Sequence, residues 1–351
     1  MIKLMKGNNA LVEGSISAGL DAYFGYPITP QNEITESMSV RMREEGRVFL
    51  QTESELASVN MIYGVAMTGK KALTSSSSPG ISLMQETISY MAGCELPTVI
   101  VNVQRGGPGL GNISGAQGDY FQAVKGGGHG DYKMIVLTPS NVQEMYEMPK
   151  KAFYLAFKYK NPVMILADGV IGQMIEKVDL NELAKYPDED EVFNASDWAL
   201  TGCKNRSSRF IRSLIMEEGA LTEHNYKLLE KFNKMEVEVD FEEVSTDDAD
   251  VVLVGYGTSA RIIYDAYLNL RDSGFNVGYL RPKTVFPFPS KRIAALADAG
   301  KKFMVVEMSS GQMVEDVRLA VLGKSEVQFY GIPGGGVPEV ETIISKVKNM
   351  M

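Results

Sequence analysis

Three side chains stand where short apolar runs give way to turns. They are Thr29 in Gly25-Tyr26-Pro27-Ile28-Thr29-Pro30, Glu55 in Gln51-Thr52-Glu53-Ser54-Glu55, and Arg105 ahead of Gly106-Gly107-Pro108-Gly109-Leu110-Gly111-Asn112. Pro30 suits the first position of a helix, which makes Thr29 a natural N-cap. The same geometry sets a hydroxyl beside free N–H groups, where a carboxylate can be received. Thr52 and Glu55 have the spacing of a capping box. Alternatively Glu55, followed by Leu56-Ala57-Ser58, points into an apolar crevice. Desolvation there favours the protonated carboxyl and a hydrogen bond to a ligand nitrogen. Glu53 competes with it on pattern alone. The fork of Arg105 suits a carboxylate, and the glycines after it let a ligand approach the backbone; a solvated arginine is the other reading.

Other segments carry weaker signals. Lys125-Gly126-Gly127-Gly128-His129-Gly130 is a flexible stretch with one histidine. Ser75-Ser76-Ser77-Ser78-Pro79-Gly80 has neither a G-x-S-x-G elbow nor an evident base, which argues against a serine hydrolase. Gly255-Tyr256-Gly257-Thr258-Ser259-Ala260 has the form of a dinucleotide fingerprint. The acid expected about 20 residues later is absent. Arg281 stands near that place and would suit a 2′-phosphate, so an NADP-binding reductase is one alternative. Close strand–helix packing is the other use of those glycines.

These residues need a scaffold. The chain has 351 residues and a formal net charge of −9, so it exceeds one core, and its acidity argues against nucleic-acid binding. Two cysteines and two histidines leave little for a metal or cluster site. No secretory leader and no apolar run of the ~18 residues a spanning helix needs is visible. A cytoplasmic protein without a membrane partner is expected.

Apolar runs alternate with helix-period segments. Strands are expected at Ala22–Tyr26, Val48–Gln51, Ala72–Ser75, Thr98–Gln104, Met134–Leu137 and Val163–Ala167. A second block has them at Asp250–Val254, Asn276–Leu280, Phe303–Val306 and Val327–Tyr330. Strands separated by helices imply an α/β protein with parallel sheets. We expect a first domain over 1–185, a connection with acidic runs and one helix near Thr222–Lys234 over 186–247, and a smaller α/β domain over 248–351. Ligands bind at the carboxyl ends of strands in such sheets, where Thr29, Glu55 and Arg105 all fall.

In that order, Gly25-Tyr26-Pro27-Ile28-Thr29-Pro30, Ser54-Glu55, Arg105-Gly106-Gly107-Pro108-Gly109 and Arg281-Pro282-Lys283-Thr284-Val285-Phe286-Pro287-Phe288-Pro289 resemble the α subunit of thiamine-diphosphate-dependent 2-oxoacid:ferredoxin oxidoreductases. The stretch from Arg105 through Asp119-Tyr120-Phe121-Gln122 to Asp131 is most similar to the branched-chain, 3-methyl-2-oxobutanoate (2-ketoisovalerate) type. The resemblance implies a pyrimidine-binding domain for thiamine diphosphate and a transketolase C-terminal-like domain. It implies that Glu55 contacts the pyrimidine ring nitrogen, that Thr29 and Arg105 hold the substrate carboxylate, and that Pro27 and Ile28 line the cofactor pocket. No segment for the metal–diphosphate half of the cofactor is found. The family places that half, with Mg2+ and a 4Fe–4S cluster, on a β subunit. A γ subunit and a ferredoxin-like δ subunit with further 4Fe–4S clusters complete the hetero-oligomer. The implied reaction converts a 2-oxoacid, coenzyme A and oxidised ferredoxin to acyl-CoA, carbon dioxide and reduced ferredoxin. 2-Oxoglutarate or pyruvate as substrate, and a non-catalytic scaffold subunit, are the remaining alternatives.

Overall fold

Runs such as Thr98-Val99-Ile100-Val101-Asn102-Val103-Gln104 contain no alternation, the mark of a strand covered on both faces, and all seven residues are buried. The structure, a computed structural model, describes residues 1–181 and 183–351. Its strands are β1 (Ile2–Lys6), β2 (Ala22–Gly25), β3 (Val48–Gln51), β4 (Ala72–Ser76), β5 (Thr98–Gln104), β6 (Ile135–Leu137), β7 (Pro162–Asp168), β8 (Ile175–Asp179), β9 (Phe241–Val244), β10 (Val251–Val254), β11 (Val277–Pro282), β12 (Thr284–Phe286), β13 (Lys302–Glu307) and β14 (Val327–Gly331).

A seven-stranded sheet has the order β12-β6-β7-β5-β4-β2-β3, and a five-stranded sheet the order β14-β13-β10-β11-β9. Each is parallel except for one antiparallel edge strand, β12 on β6 and β9 on β11. Strands β1 and β8 form a separate antiparallel pair. The expected α/β class with parallel sheets is thus observed.

Helices Asn32–Glu44, Glu55–Ala66, Ser78–Gly93 and Val142–Tyr159 connect the first sheet. Helix Gly7–Ser17 packs on Val142–Tyr159 so closely that a Cβ on Gly14 would lie 1.9 Å from the Tyr146 carbonyl oxygen. Only glycine allows that backbone approach.

Helix Gly7–Ser17 and strands β1, β8, β9 and β12 are among the elements not expected from the sequence. β12 is three residues long between Pro282 and Pro287, and β9 reads Phe-Glu-Glu-Val. Neither has enough apolar pattern to announce a strand; each pairs along the edge of a neighbour, β12 on the three-residue β6 and β9 on the six-residue β11. β9 falls in the stretch read as a connection, yet it extends the second sheet. β12 comes from the second block and extends the first sheet.

Arg281, buried at 2 % exposure, does not face a nucleotide. Its Nη1 and Nη2 donate to the two Glu144 oxygens at 2.7 Å each, and Nη1 also meets the Ser140 hydroxyl. The glycine fingerprint is closed as well. The Asp168 carboxylate lies at the N-terminus of helix Gly257–Asp272, accepting from the Thr258 N–H at 2.9 Å and the Thr258 hydroxyl at 2.6 Å. A Cβ on Gly257 would sit 2.7 Å from Asp168 Oδ2. The place a pyrophosphate would take is filled by the protein's own carboxylate, which removes the NADP alternative.

Candidate functional site

Four neighbouring strands, β5, β4, β2 and β3, turn the singled-out residues out at their carboxyl ends. Thr29 follows β2, Glu55 follows β3, the serine run closes β4, and Arg105 follows β5.

Neither expected cap forms. Helix Asn32–Glu44 begins two residues after Pro30, with Gln31 at the cap position, and the Thr29–Pro30 peptide is cis. Thr29 instead offers its carbonyl to Arg105 Nη1 at 2.9 Å. At the next helix the cap is Ser54, whose hydroxyl accepts from the Ala57 N–H at 3.2 Å. Thr52 bonds the Ser58 hydroxyl at 2.5 Å, so Thr52 and Glu55 form no capping box. Glu55 becomes the first helical residue and turns inward.

Burial separates the two glutamates: Glu53 is exposed, whereas Glu55 is 6 % exposed. Among the described residues, the one hydrogen bond to the Glu55 carboxylate comes from the Ser76 hydroxyl at 3.4 Å. A buried carboxylate so thinly satisfied is costly in isolation and suits a partner from outside the chain. Gly80 packs directly against it: a Cβ there would lie 2.1 Å from Ser76 Oγ and 2.5 Å from Glu55 Oε1, so glycine at 80 is what lets the carboxylate take this place.

Arg105 is 7 % exposed, so the solvated reading does not hold. Its Nη2 donates to the Leu110 carbonyl at 2.9 Å, while its Nε is buried without a partner. The Ser77 hydroxyl is likewise buried and unpartnered. The β4 turn links the two halves: Ser76 meets Glu55, and two residues on the Ser78 hydroxyl accepts from the Arg105 N–H at 3.0 Å. Pro27 is exposed and Ile28 half-buried on the turn that carries Thr29. His129 and His224 lie elsewhere; His224 Nε2 bonds the Gly93 carbonyl at 2.8 Å.

The Thr29 turn is held from behind. The Pro30 carbonyl accepts from Asn8 Nδ2 at 2.8 Å and Gln173 Nε2 at 2.9 Å. The Glu33 carboxylate accepts from both amides and from Lys6 Nζ at 2.8 Å. Partial desolvation opposes ionisation of Glu33, but the Lys6 ammonium and the N–H donors win and hold its pKa near 2. A depressed carboxyl stabilises the fold above its ordinary value of 4.5, and that contribution is lost as pH falls towards 2. Acid titration of Glu33→Gln should therefore show a shallower loss of stability through that window than the parent chain. Identical curves would mean that the clamp contributes nothing.

Asn8, Glu33, Gln173, Ser76, Ser78, Asn102 and Asp119 were not singled out as site residues from the sequence. One signal was present: Asn102 is an amide inside an otherwise apolar strand, which demands a buried partner.

The site thus sits at the carboxyl ends of an open parallel α/β sheet, with a buried, thinly satisfied carboxylate packed against a glycine. Residues 13–242 match the family described as pyruvate flavodoxin/ferredoxin oxidoreductase, thiamine diphosphate-binding. Residues 249–343 match pyruvate:ferredoxin oxidoreductase core domain II. The ketoisovalerate oxidoreductase subunit VorB of Methanothermobacter thermautotrophicus is 48 % identical over 99 % of this chain and 97 % of its own length. The 2-oxoglutarate synthase subunit KorA of the same organism is 34 % identical, covering 99 % and 98 %. Among solved structures, the 2-oxoglutarate:ferredoxin oxidoreductase of Magnetococcus marinus superposes with a TM-score of 0.87 at 27 % identity. The match covers 99 % of this chain and 65 % of that one. A split-gene transketolase at 14 % identity and TM-score 0.61 shares the fold. The chain belongs to the 2-oxoacid:ferredoxin oxidoreductases, as an α-type subunit.

Among the described residues, no helix is long and apolar enough to cross a membrane.

Proposed function

We propose that this chain supplies the pyrimidine side of a thiamine diphosphate site in an oxidoreductase acting on 3-methyl-2-oxobutanoate. The observation that carries the reading is that Glu55, Thr29 and Arg105 stand at neighbouring strand ends, where Arg105 Nε and the Ser77 hydroxyl are buried without a partner. In this reading residues 1–185 form the pyrimidine-binding part, whose sheet β12 completes, 186–247 the connection, whose β9 edges the second sheet, and 248–351 the transketolase C-terminal-like part.

The residues fit that half of the cofactor. Glu55 would hold the ring nitrogen and share a proton with it, the role for which a desolvated carboxyl is suited. Pro27 and Ile28 give the turn after β2 an apolar surface beside it. When bound, the cofactor supplies a carbanion-stabilising electron sink for decarboxylation. Arg105, held in place by the Thr29 and Leu110 carbonyls, presents its remaining N–H positions to the substrate carboxylate, with the Thr29 hydroxyl beside it. The diphosphate and Mg2+ half and a 4Fe–4S cluster belong in this reading to a β subunit. γ and ferredoxin-like δ subunits complete the assembly, coenzyme A accepts the acyl group, and ferredoxin takes the electrons. Identity of 48 % to a ketoisovalerate subunit against 34 % to a 2-oxoglutarate subunit supports the branched-chain substrate.

The test is reconstitution with the partner subunits and coenzyme A-dependent viologen reduction on a panel of 2-oxoacids. Preference for 2-oxoglutarate or pyruvate would overturn the substrate assignment. Arg105→Ala removes charge-assisted hydrogen bonds of about 1.5–3 kcal/mol and should raise the 2-oxoacid KM about 10- to 100-fold. Unchanged turnover and KM for both Arg105→Ala and Thr29→Ala would favour a scaffold role.

A further inference from the structure

The glycine-rich loop leaves the sheet at Arg105 and comes back against β5 at Asp119, just ahead of helix Tyr120–Val124, where its two ends are tied together. Asp119 Oδ2 accepts from the Ser78 hydroxyl at 2.6 Å and from Asn102 Nδ2 at 2.9 Å. Asn102 Oδ1 in turn accepts from the Ser78 N–H at 3.1 Å. The Asp119 N–H donates to Gln104 Oε1 at 3.1 Å, one residue before Arg105. Asn102 is fully buried and Ser78 8 % exposed.

Proton direction makes this ring more than a staple. A hydroxyl has one hydrogen. The Ser78 hydroxyl can accept from the Arg105 N–H, at 3.0 Å, while its own hydrogen points to Asp119. A carboxylate that draws the hydrogen away fixes the serine as an acceptor. Asn102 fixes the carboxylate, because its amide spans both partners. Within the loop the Gly106 N–H donates to the Ser114 carbonyl at 2.9 Å, the Asn112 N–H to the Gly106 carbonyl at 2.8 Å and the Ser114 N–H to Asn112 Oδ1 at 3.0 Å. Its far stretch is held by Asn112 on the Gly334 carbonyl and by Gln117 on Met308 and Tyr256, whereas the end that carries Arg105 is fastened through Ser78, Asn102 and Asp119.

We propose that Asp119 is a positioning residue for Arg105, acting through the Ser78 hydroxyl and braced by Asn102. The inference rests on the substrate-binding role proposed for Arg105. Asp119 touches neither substrate nor cofactor. It sets where the guanidinium stands, so its loss is felt in 2-oxoacid binding rather than in later steps.

The experiment uses the assembled complex and measures kcat together with KM for 3-methyl-2-oxobutanoate and for coenzyme A. Asp119→Ala should raise the 2-oxoacid KM about tenfold, as expected for one lost hydrogen bond, with the coenzyme A KM unchanged and kcat little altered. Asp119→Asn keeps an oxygen able to accept both bonds and should restore the parent KM. Ser78→Ala should match Asp119→Ala, and the double variant should be no worse than either, because residues acting in one chain are not additive. An unchanged 2-oxoacid KM in Asp119→Ala, additive effects, or equal damage from Asn and Ala at 119 would overturn the proposal. Should Asp119→Ala fail to assemble, Ser78→Ala with a raised KM beside a normal Asp119→Asn upholds it, and an unchanged Ser78→Ala overturns it. Arg105→Ala separates the two readings. If it leaves the KM unchanged, the substrate site is wrongly placed. If it raises the KM while Asp119→Ala does not, only the positioning role fails.

Discussion

Replacing Glu55 by glutamine is expected to lower coenzyme A-dependent turnover of the assembled enzyme by about 100-fold or more, the range lost when a positioned proton-sharing group is removed. The substitution keeps size and shape, so the helix Glu55–Ala66, capped by Ser54, should form as before. What changes is the ability to share a proton. The carboxylate is 6 % exposed and receives one long bond, from Ser76 at 3.4 Å, so little in the fold depends on its charge. Retention of stability with loss of rate is the expected pair of results, read by circular dichroism and viologen reduction. A variant running at the full rate would remove Glu55 from the cofactor site.

Asp168→Ala should cost about 3–5 kcal/mol of stability, since hydrogen bonds to a charged group are worth about 1.5–3 kcal/mol each and several are lost together. Asp168 is 1 % exposed. It accepts from the Val170 and Ile171 N–H groups at 3.1 Å each, from Thr258 through both N–H and hydroxyl, and from Gln117 Nε2 at 3.5 Å. Burial pushes its carboxyl up, and the donors on Thr258, Ile171 and Val170 pull it back. Alanine strands those donors in a dry interior, where each unsatisfied group costs about 1–3 kcal/mol. Urea unfolding followed by circular dichroism should show the midpoint move well down. Asp168→Asn, which keeps one acceptor oxygen, should fall between the two. A midpoint within error of the parent would show that the two sheets are joined by other contacts.

The positions of most strands along the chain were readable because both sheets are built on uninterrupted apolar runs, and β3 and β5 begin and end where those runs do. Glu55 and Arg105 were readable for the same reason: a polar residue just past such a run stands at a strand end. The Ser78–Asn102–Asp119 ring was not. Its partners lie 24 and 41 residues apart, and each serine, asparagine or aspartate alone passes for a loop residue. The glycine fingerprint misled in an instructive way. Its backbone does form an anion-accepting helix terminus, but the anion is Asp168, 90 residues away. Capping rules failed at Thr29 and Glu55 because each helix starts later than its nearest proline or threonine suggests, which frees both residues for other partners.

The first sheet has two rims of different character. β12, borrowed from the far part of the chain, lies antiparallel along β6 and finishes one rim. At the opposite rim β3 pairs only with β2 among the described residues, and Val48 and Leu50 on it are 55 % and 46 % exposed. The two rims therefore differ in what a strand added by another polypeptide would meet. At β3 it would lie beside the turn that carries Glu55, and at the other end it would have to pair with the three-residue β12. A chain cut ahead of Thr284 would leave β6 as that rim instead.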